Sequence, residues 1–301
     1  MPRTVTVGLD GSPESRAAAE WAAREAKLLG VPVKLVHVWE PVPEPMAQAP
    51  LPGAETHRHW AEKVPREAAE GLRLRHSGVE VITEQLTGPP AESLVKAAQE
   101  ADLLVLGSRA LGGVGGFMVG SVGLSVVAHA ERPVVLVRAG EQAADEHEMD
   151  PAGVPSAATG FRPVVLGLDT AAPDEELIRF AFEAALRRGT SLRVVHGWYP
   201  PPYYGYGVPA DAGLYGSLAA TEATALTDVL RPWRQKYPDV GVAEVSRPGS
   251  AAHLLVTAAK DASLVAVGRR VRRSPFGAHI GHVTHAALHH STVPVAVVAH
   301  D

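Results

Sequence analysis

The chain carries one long pattern twice. Residues 5–41 (VTVGLDGSPESRAAAEWAAREAKLLGVPVKLVHVWEP) align with residues 164–200 (VVLGLDTAAPDEELIRFAFEAALRRGTSLRVVHGWYP) at an offset of 159, pairing Asp10 with Asp169, His37 with His196 and Trp39 with Trp198. Near the end of each copy the offset becomes 161, pairing Gly107 with Gly268, Gly120 with Gly281 and Pro133 with Pro294. A repeat of this length is a duplicated domain, not a solenoid unit. The 301 residues are enough for two ordinary cores. The expected division is a first domain over 1–140, a linker over 141–160 and a second domain over 161–301. That linker holds Glu141, Asp145, Glu146, Glu148 and Asp150 with no Lys or Arg, so the excess acid behind the net charge of −5 sits there.

Within each copy, strand-like and helix-like segments alternate. Residues 4–9 are a β-branched run that stops at Asp10-Gly11-Ser12-Pro13. A Ser followed by Pro is a helix start, with a capping hydroxyl and then Pro at the first helical position. Ala18, Trp21, Ala22, Ala26 and Leu29 follow on one helical face, and Gly30 closes the helix. Strands are expected over 33–38, 79–85, 102–106 and 133–138, and helices over about 60–76, 90–100 and 121–130. Alternation of this kind, with apolar runs such as Leu-Leu-Val-Leu and Val-Val-Leu-Val, predicts a doubly wound α/β domain with a parallel sheet covered on both faces. Ligands of such sheets sit beyond the strand carboxyl ends, where the strand order reverses.

Composition removes several function classes. The chain has no Cys, which excludes disulfide frameworks, thiol catalysis and cysteine-held metal clusters. No apolar run has the length of a membrane span, and the first residues lack a signal-peptide pattern. A cytoplasmic protein without membrane contact is expected. Neither half has the basic balance of a duplex-DNA binder, so no nucleic-acid partner is expected. HExxH, GxSxG and GxxxxGK[ST] are missing, and no nucleophile–base–acid set is visible.

The most informative stretch is 106–123, LGSRALGGVGGFMVGSVG. Gly107, Gly112, Gly113, Gly115 and Gly116 lie between a buried-type strand and a helix opened by Gly120-Ser121. Glycines let backbone N–H groups approach an anion, and a helix start with a hydroxyl adds donors. The loop is equally compatible with a flexible connection of no chemical meaning. Gly107, two residues, position 110, nine residues, then Gly120-Ser121 resembles the G-x2-G-x9-G-[ST] signature of the universal stress protein family. Asp10, His37-Val38-Trp39 and the last strand after Arg132-Pro133 match the same pattern, over nearly the whole chain in two tandem copies.

The resemblance implies a Rossmann-like sheet in the order 3-2-1-4-5 in each half, with ATP at the strand carboxyl ends of motif-bearing members and Mg²⁺ expected with it. It places Asp10 near ribose and phosphates, the Val38 backbone at the adenine edge, Leu106 and Gly107 along adenine and ribose, and Gly120, Ser121 and Val122 on the phosphates. Arg109 is positioned to pair with phosphate oxygens. Ala110 departs from the motif, at a cost of about 1 kcal/mol if the site demands a left-handed backbone. The implied activity is nucleotide-dependent binding in a stress response, with no assigned catalytic residue; a non-nucleotide interaction module and a slow ATP hydrolase are the alternatives. A homodimer or an intramolecular pseudo-dimer is expected, together with an unidentified protein partner.

The second copy reads as degenerate. Gly268-Arg269-Arg270-Val271, nine residues, then Gly281-His282 keeps the spacing but loses the second glycine and the hydroxyl. Arg269, Arg270, Arg272 and Arg273 are expected on a solvated surface; the competing reading is a cradle for a different anion. His282, His285 and His289 share a helix face, as zinc or nickel ligands can, but no nearby Asp or Glu completes the set and the motif helix accounts for their placement. Tyr199, Tyr203, Tyr204, Tyr206 and Tyr215 crowd the loop after the second strand, as a docking surface or a lid.

Overall fold

The computed structural model describes residues 3–40, 54–110, 117–118, 120–200, 212–271 and 280–301. These form two compact units that divide between Gln142 and Ala143. The first contains β1 (Val5–Leu9), α1 (Pro13–Leu29), β2 (Val33–Trp39), α2 (Ala54–Arg75), β3 (Val81–Thr87), α3 (Pro90–Gln99), β4 (Leu103–Ala110), the two-residue β5 (Phe117–Met118), α4 (Ser121–His129) and β6 (Val134–Arg138). Its parallel strands run in the order β3-β2-β1-β4-β6, the 3-2-1-4-5 arrangement that the sequence predicts. The second contains β7 (Val164–Gly167), α5 (Glu175–Arg188), β8 (Leu192–Trp198), α6 (Ala212–Lys236), β9 (Val242–Pro248), α7 (Ala251–Ala259), β10 (Leu264–Arg270), α8 (His282–His290) and β11 (Val295–His300). Its sheet repeats the order as β9-β8-β7-β10-β11.

Local chemistry fixes the first helix. Ser12 is its N-cap, and its hydroxyl accepts from the Ser15 backbone N–H at 3.1 Å. Pro13 stands where no N–H is required. Gly30 ends the helix at φ 67°, in the left-handed region that favours glycine. Between them, Ala18, Trp21, Ala22, Ala23 and Ala26 are all at most 1% exposed. The small alanines bring the helix axis close to the sheet, and Trp21 fills the remaining volume. In the second unit Asp174 caps α5 by accepting from Leu177 N–H at 2.9 Å, and Gly189 ends the helix at φ 59°.

Two boundaries depart from expectation. The helix expected at about 60–76 begins at Ala54 and continues through Pro65. The strand expected over 102–106 continues as β4 to Ala110, where Arg109 and Ala110 pair antiparallel with Met118 and Phe117 of β5. Gly107 is therefore a strand residue rather than the first residue of a loop. Ala110 lies in extended backbone, and no non-glycine among the described residues has positive φ; the departure from the second motif glycine carries no backbone strain. The five inner positions 112–116 lie outside the described residues.

The acidic segment is also ordered. Both carboxylate oxygens of Glu141 accept from Arg24 Nη2 at 2.6 Å, with the Glu141 side chain 4% exposed. Beyond it, Ala143–Glu146 form a 3₁₀ turn, and antiparallel bridges join His147 to Phe161 and Met149 to Pro155. The His147 ring lies 4.0 Å from that of Phe161. Among the described residues no helix is long and apolar enough to cross a membrane.

Removing one member of a buried ion pair strands the other charge. Arg24→Ala is expected to lower the unfolding free energy by about 3 kcal/mol, read by urea denaturation. An unchanged midpoint would show that Glu141 finds water or another partner.

Candidate functional site

The carboxyl ends of β1, β2 and β4 open into a cavity of about 350 Å³, within the range of small-molecule sites. β1 and β4 are neighbours from which the chain departs to opposite sides, the switch point at which such sheets bind ligands. Asp10, Val38, Leu106, Gly107, Gly120, Ser121 and Val122 all line it. The structure thus brings together seven of the eight residues singled out from the sequence. The eighth, Arg109, has its backbone at the end of β4, and its side chain lies outside the described residues.

The cavity has an apolar side and a polar side. Val36, Val38, Pro90, Leu94 and Leu106 supply the first, suited to a planar base. Asp10, Ser12 and the start of α4 supply the second. The Asp10 Oδ1 accepts from the Ser12 backbone N–H at 3.0 Å and from the Ser12 hydroxyl. Burial acts to raise the pKa of this carboxyl, but the bonds from Ser12 and Ser15 together outweigh it and hold the group below the usual carboxylate value. Asp10 is therefore anionic at neutral pH.

The two motif glycines do different things. A Cβ on Gly107 would stand 2.4 Å from the backbone carbon of Glu14 and 2.7 Å from its oxygen. Gly107 is thus required by the first turn of α1 lying on β4, whatever binds nearby. Gly120 has φ −60° and ψ 159°, a conformation open to any residue. Among the described residues nothing lies within 4 Å of where its Cβ would be. Neither conformation nor packing calls for glycine there; its effect is to leave the cavity side of α4 open. Gly120 is also the N-cap of α4 and offers no side-chain capping bond, and the first residues of the helix, Ser121, Val122 and Gly123, line the cavity, where the first N–H groups of a helix can serve as donors to an anion.

His37 was not assigned a role from the sequence, although its match to His196 was a signal. It lines the cavity, with Nδ1 2.8 Å from the Leu9 carbonyl oxygen. A carbonyl only accepts, so Nδ1 is the donor in this bond. In the second copy His196 repeats the bond to the Leu168 carbonyl at 3.1 Å, but its Nε2 lies 3.1 Å from Glu222 Oε2 and 3.3 Å from Thr170 Oγ1.

The second copy retains a cavity, of about 630 Å³, at the matching strand ends. Asp169, His196, Gly268, Gly281 and His282 line it. The expectation that the arginine run lies on a solvated surface is corrected in part: Arg269 is 3% exposed, while Arg270 is exposed and lines the cavity. β10 carries both, and successive strand residues point to opposite faces of the sheet. Arg272 and Arg273 lie outside the described residues. His285 and His289 have ring centroids 4.2 Å apart. Burial, then the charges of His289 and His290, lower the pKa of His285. Among the described residues no group of three or more His, Asp or Glu is placed to hold a metal ion. Of the tyrosine loop, Tyr199 is 70% exposed at the cavity rim and the ring of Tyr215 lies 6.1 Å from that of Trp198; Tyr203, Tyr204 and Tyr206 lie outside the described residues.

The profile of the Universal stress protein family matches residues 1–138 and again 160–299. A universal stress protein of Mycolicibacterium smegmatis is 32% identical over 300 residues, covering 98% of this chain and 96% of its own. One from Mycobacterium tuberculosis is 33% identical over 308 residues, covering 97% and 96%. The crystal structure of a universal stress protein from Archaeoglobus fulgidus superposes with a TM-score of 0.67 at 16% identity, covering 98% of each chain, which speaks to the fold.

The glycine contrast is directly testable. Gly107→Ala forces a methyl into the Glu14 backbone and is expected to destabilise by roughly 1–3 kcal/mol. Gly120→Ser adds a capping hydroxyl in open space and is expected to be neutral or to stabilise by up to about 1 kcal/mol. Chemical denaturation of both variants reads the difference. Ser12→Ala should raise the Asp10 midpoint, seen by carboxyl NMR. The native carboxyl is depressed, so its contribution to stability is present at neutral pH and is lost as pH falls through the folded-state value.

Proposed function

We propose that this chain, which belongs to the universal stress protein family, binds an adenine nucleotide, ATP with Mg²⁺, in its first-half cavity. Binding would change its affinity for a protein partner rather than begin a catalytic cycle. The observation that carries the reading is Gly120, a glycine that among the described residues neither backbone conformation nor packing requires, at the start of a helix whose first residues line a cavity of nucleotide size.

The residues fit such a ligand. The apolar side accepts the base, with the Val38 backbone at its edge. Gly120, Ser121 and Val122 offer donors to phosphate oxygens. Among the described residues the lining contains two carboxylates, Asp10 and Glu14, and no Lys or Arg. A triphosphate would meet these two carboxylates, and a divalent ion would neutralise that charge. Mg²⁺ is such an ion and takes carboxylate and phosphate oxygens together, and the depressed pKa of Asp10 keeps its oxygens available as ligands.

A second reading, an interaction module without nucleotide, draws on Gly107: close approach of α1 accounts for that glycine in the absence of any ligand.

Isothermal calorimetry separates the two readings. Mg-ATP is expected to bind the unmodified chain and to lose affinity by about tenfold or more in Asp10→Ala and in Gly120→Val, the scale of one or two charge-assisted bonds. Chelation of Mg²⁺ should weaken binding by a similar factor. Unchanged affinity in both folded variants would overturn the site, and no binding at all would favour the interaction module.

A further inference from the structure

The second-half cavity is lined by an arginine, which the described lining of the first lacks, and by more imidazole side chains. Arg270, at the end of β10, and His282, the first residue of α8, are both exposed and both line it. His282 stands where the first copy has Ser121. His300 on β11 is a third nitrogen-bearing group in the lining. Its Nε2 lies 2.7 Å from where a Cβ on Gly268 would be, so its ring covers the glycine face that the Glu14 turn covers in the first copy. Gly281 has nothing within 4 Å of its own Cβ position among the described residues, at φ −60° and ψ 154° where glycine is not required. The motif lost its hydroxyl, but the space remained open and gained positive and donor groups.

The same lining contains Asp169 and Asp174. Asp174 is committed to the cap of α5 through Oδ1, with Oδ2 3.7 Å from His300 Nδ1. Asp169 accepts from Ala171 N–H at 3.0 Å through one oxygen and can take a ligand hydroxyl on the other. His196 is held at both ring nitrogens by protein groups. The cavity thus offers one guanidinium and imidazole donors to a compact anion and a carboxylate to a hydroxyl. A longer polyanion would meet the two carboxylates.

We infer that the second-half cavity is a separate site for a phosphomonoester with a hydroxyl-bearing body, held without a divalent metal ion. Arg270 binds two phosphate oxygens through its planar fork. His282 donates a ring N–H to the phosphate, and Asp169 orients the body through its hydroxyl. This site and the nucleotide site proposed above are independent, and they differ in their need for metal.

Calorimetry on the full chain in EDTA, with ribose 5-phosphate and with inorganic phosphate as probes, tests the assignment. Ribose 5-phosphate is expected to bind at about one per chain, and more tightly than inorganic phosphate. Affinity should fall at least tenfold in Arg270→Ala and several-fold in His282→Ser, and should be unchanged in Asp10→Ala/Gly120→Val. No binding in EDTA, or binding abolished by the first-half pair and untouched by Arg270→Ala, would overturn the site. Equal affinity for inorganic phosphate would overturn the ester assignment. If Mg-ATP fails to bind while ribose 5-phosphate binding behaves as described, the first-half reading alone falls.

Discussion

The close approach of the α1 first turn to β4 is the constraint on which the first-half cavity depends. It is possible only because position 107 has no side chain, since a single methyl there would overlap the Glu14 backbone. That approach places Ser12 beside Asp10, so the serine serves the helix and the carboxylate together. It also sets the start of α1 against the start of α4 across the carboxyl ends of β1 and β4. The site is therefore a consequence of how tightly one helix lies on one strand, and its polar groups are oriented before any ligand arrives.

The duplicated copy shows which parts of this scheme can change. Strand order, the histidine bonded to the carbonyl before the aspartate, and the glycine at the end of the fourth principal strand persist. α5 takes its cap from Asp174 and begins at Glu175, and the ring of His300 covers Gly268 in its place. Thr284, opposite Gly123 of the first copy, donates to the Gly268 carbonyl at 2.7 Å and ties α8 to β10 directly. The fold is preserved by substituting one contact for another, while the lining of the cavity changes its charge.

Much of this was legible in the residues. The repeat gave the two copies, and the alternation of Val-rich runs with capped helices gave the doubly wound sheet, because propensity, caps and burial agree along those segments. The converging positions Asp10, Val38, Leu106, Gly107, Gly120, Ser121 and Val122 followed from the family resemblance. What escaped were features set by tertiary contact. A glycine read as the start of a loop is a strand residue, since β6 runs beside it and sets Val137 opposite Gly107. The packing role of Gly107 and the open space at Gly120 cannot be told apart without knowing where Glu14 lies. The sequence motif at Gly281-His282 looks eroded, yet a cavity persists there, because its walls come from strand ends that the motif does not include.

The central claim is that the first-half cavity holds an adenine nucleotide. The most direct measurement is to denature untreated, purified protein and to chromatograph the released small molecules against adenine nucleotides. The account predicts about one adenine nucleotide per chain, absent from the Gly120→Val protein. Release of none, together with no calorimetric heat on adding Mg-ATP, would contradict it.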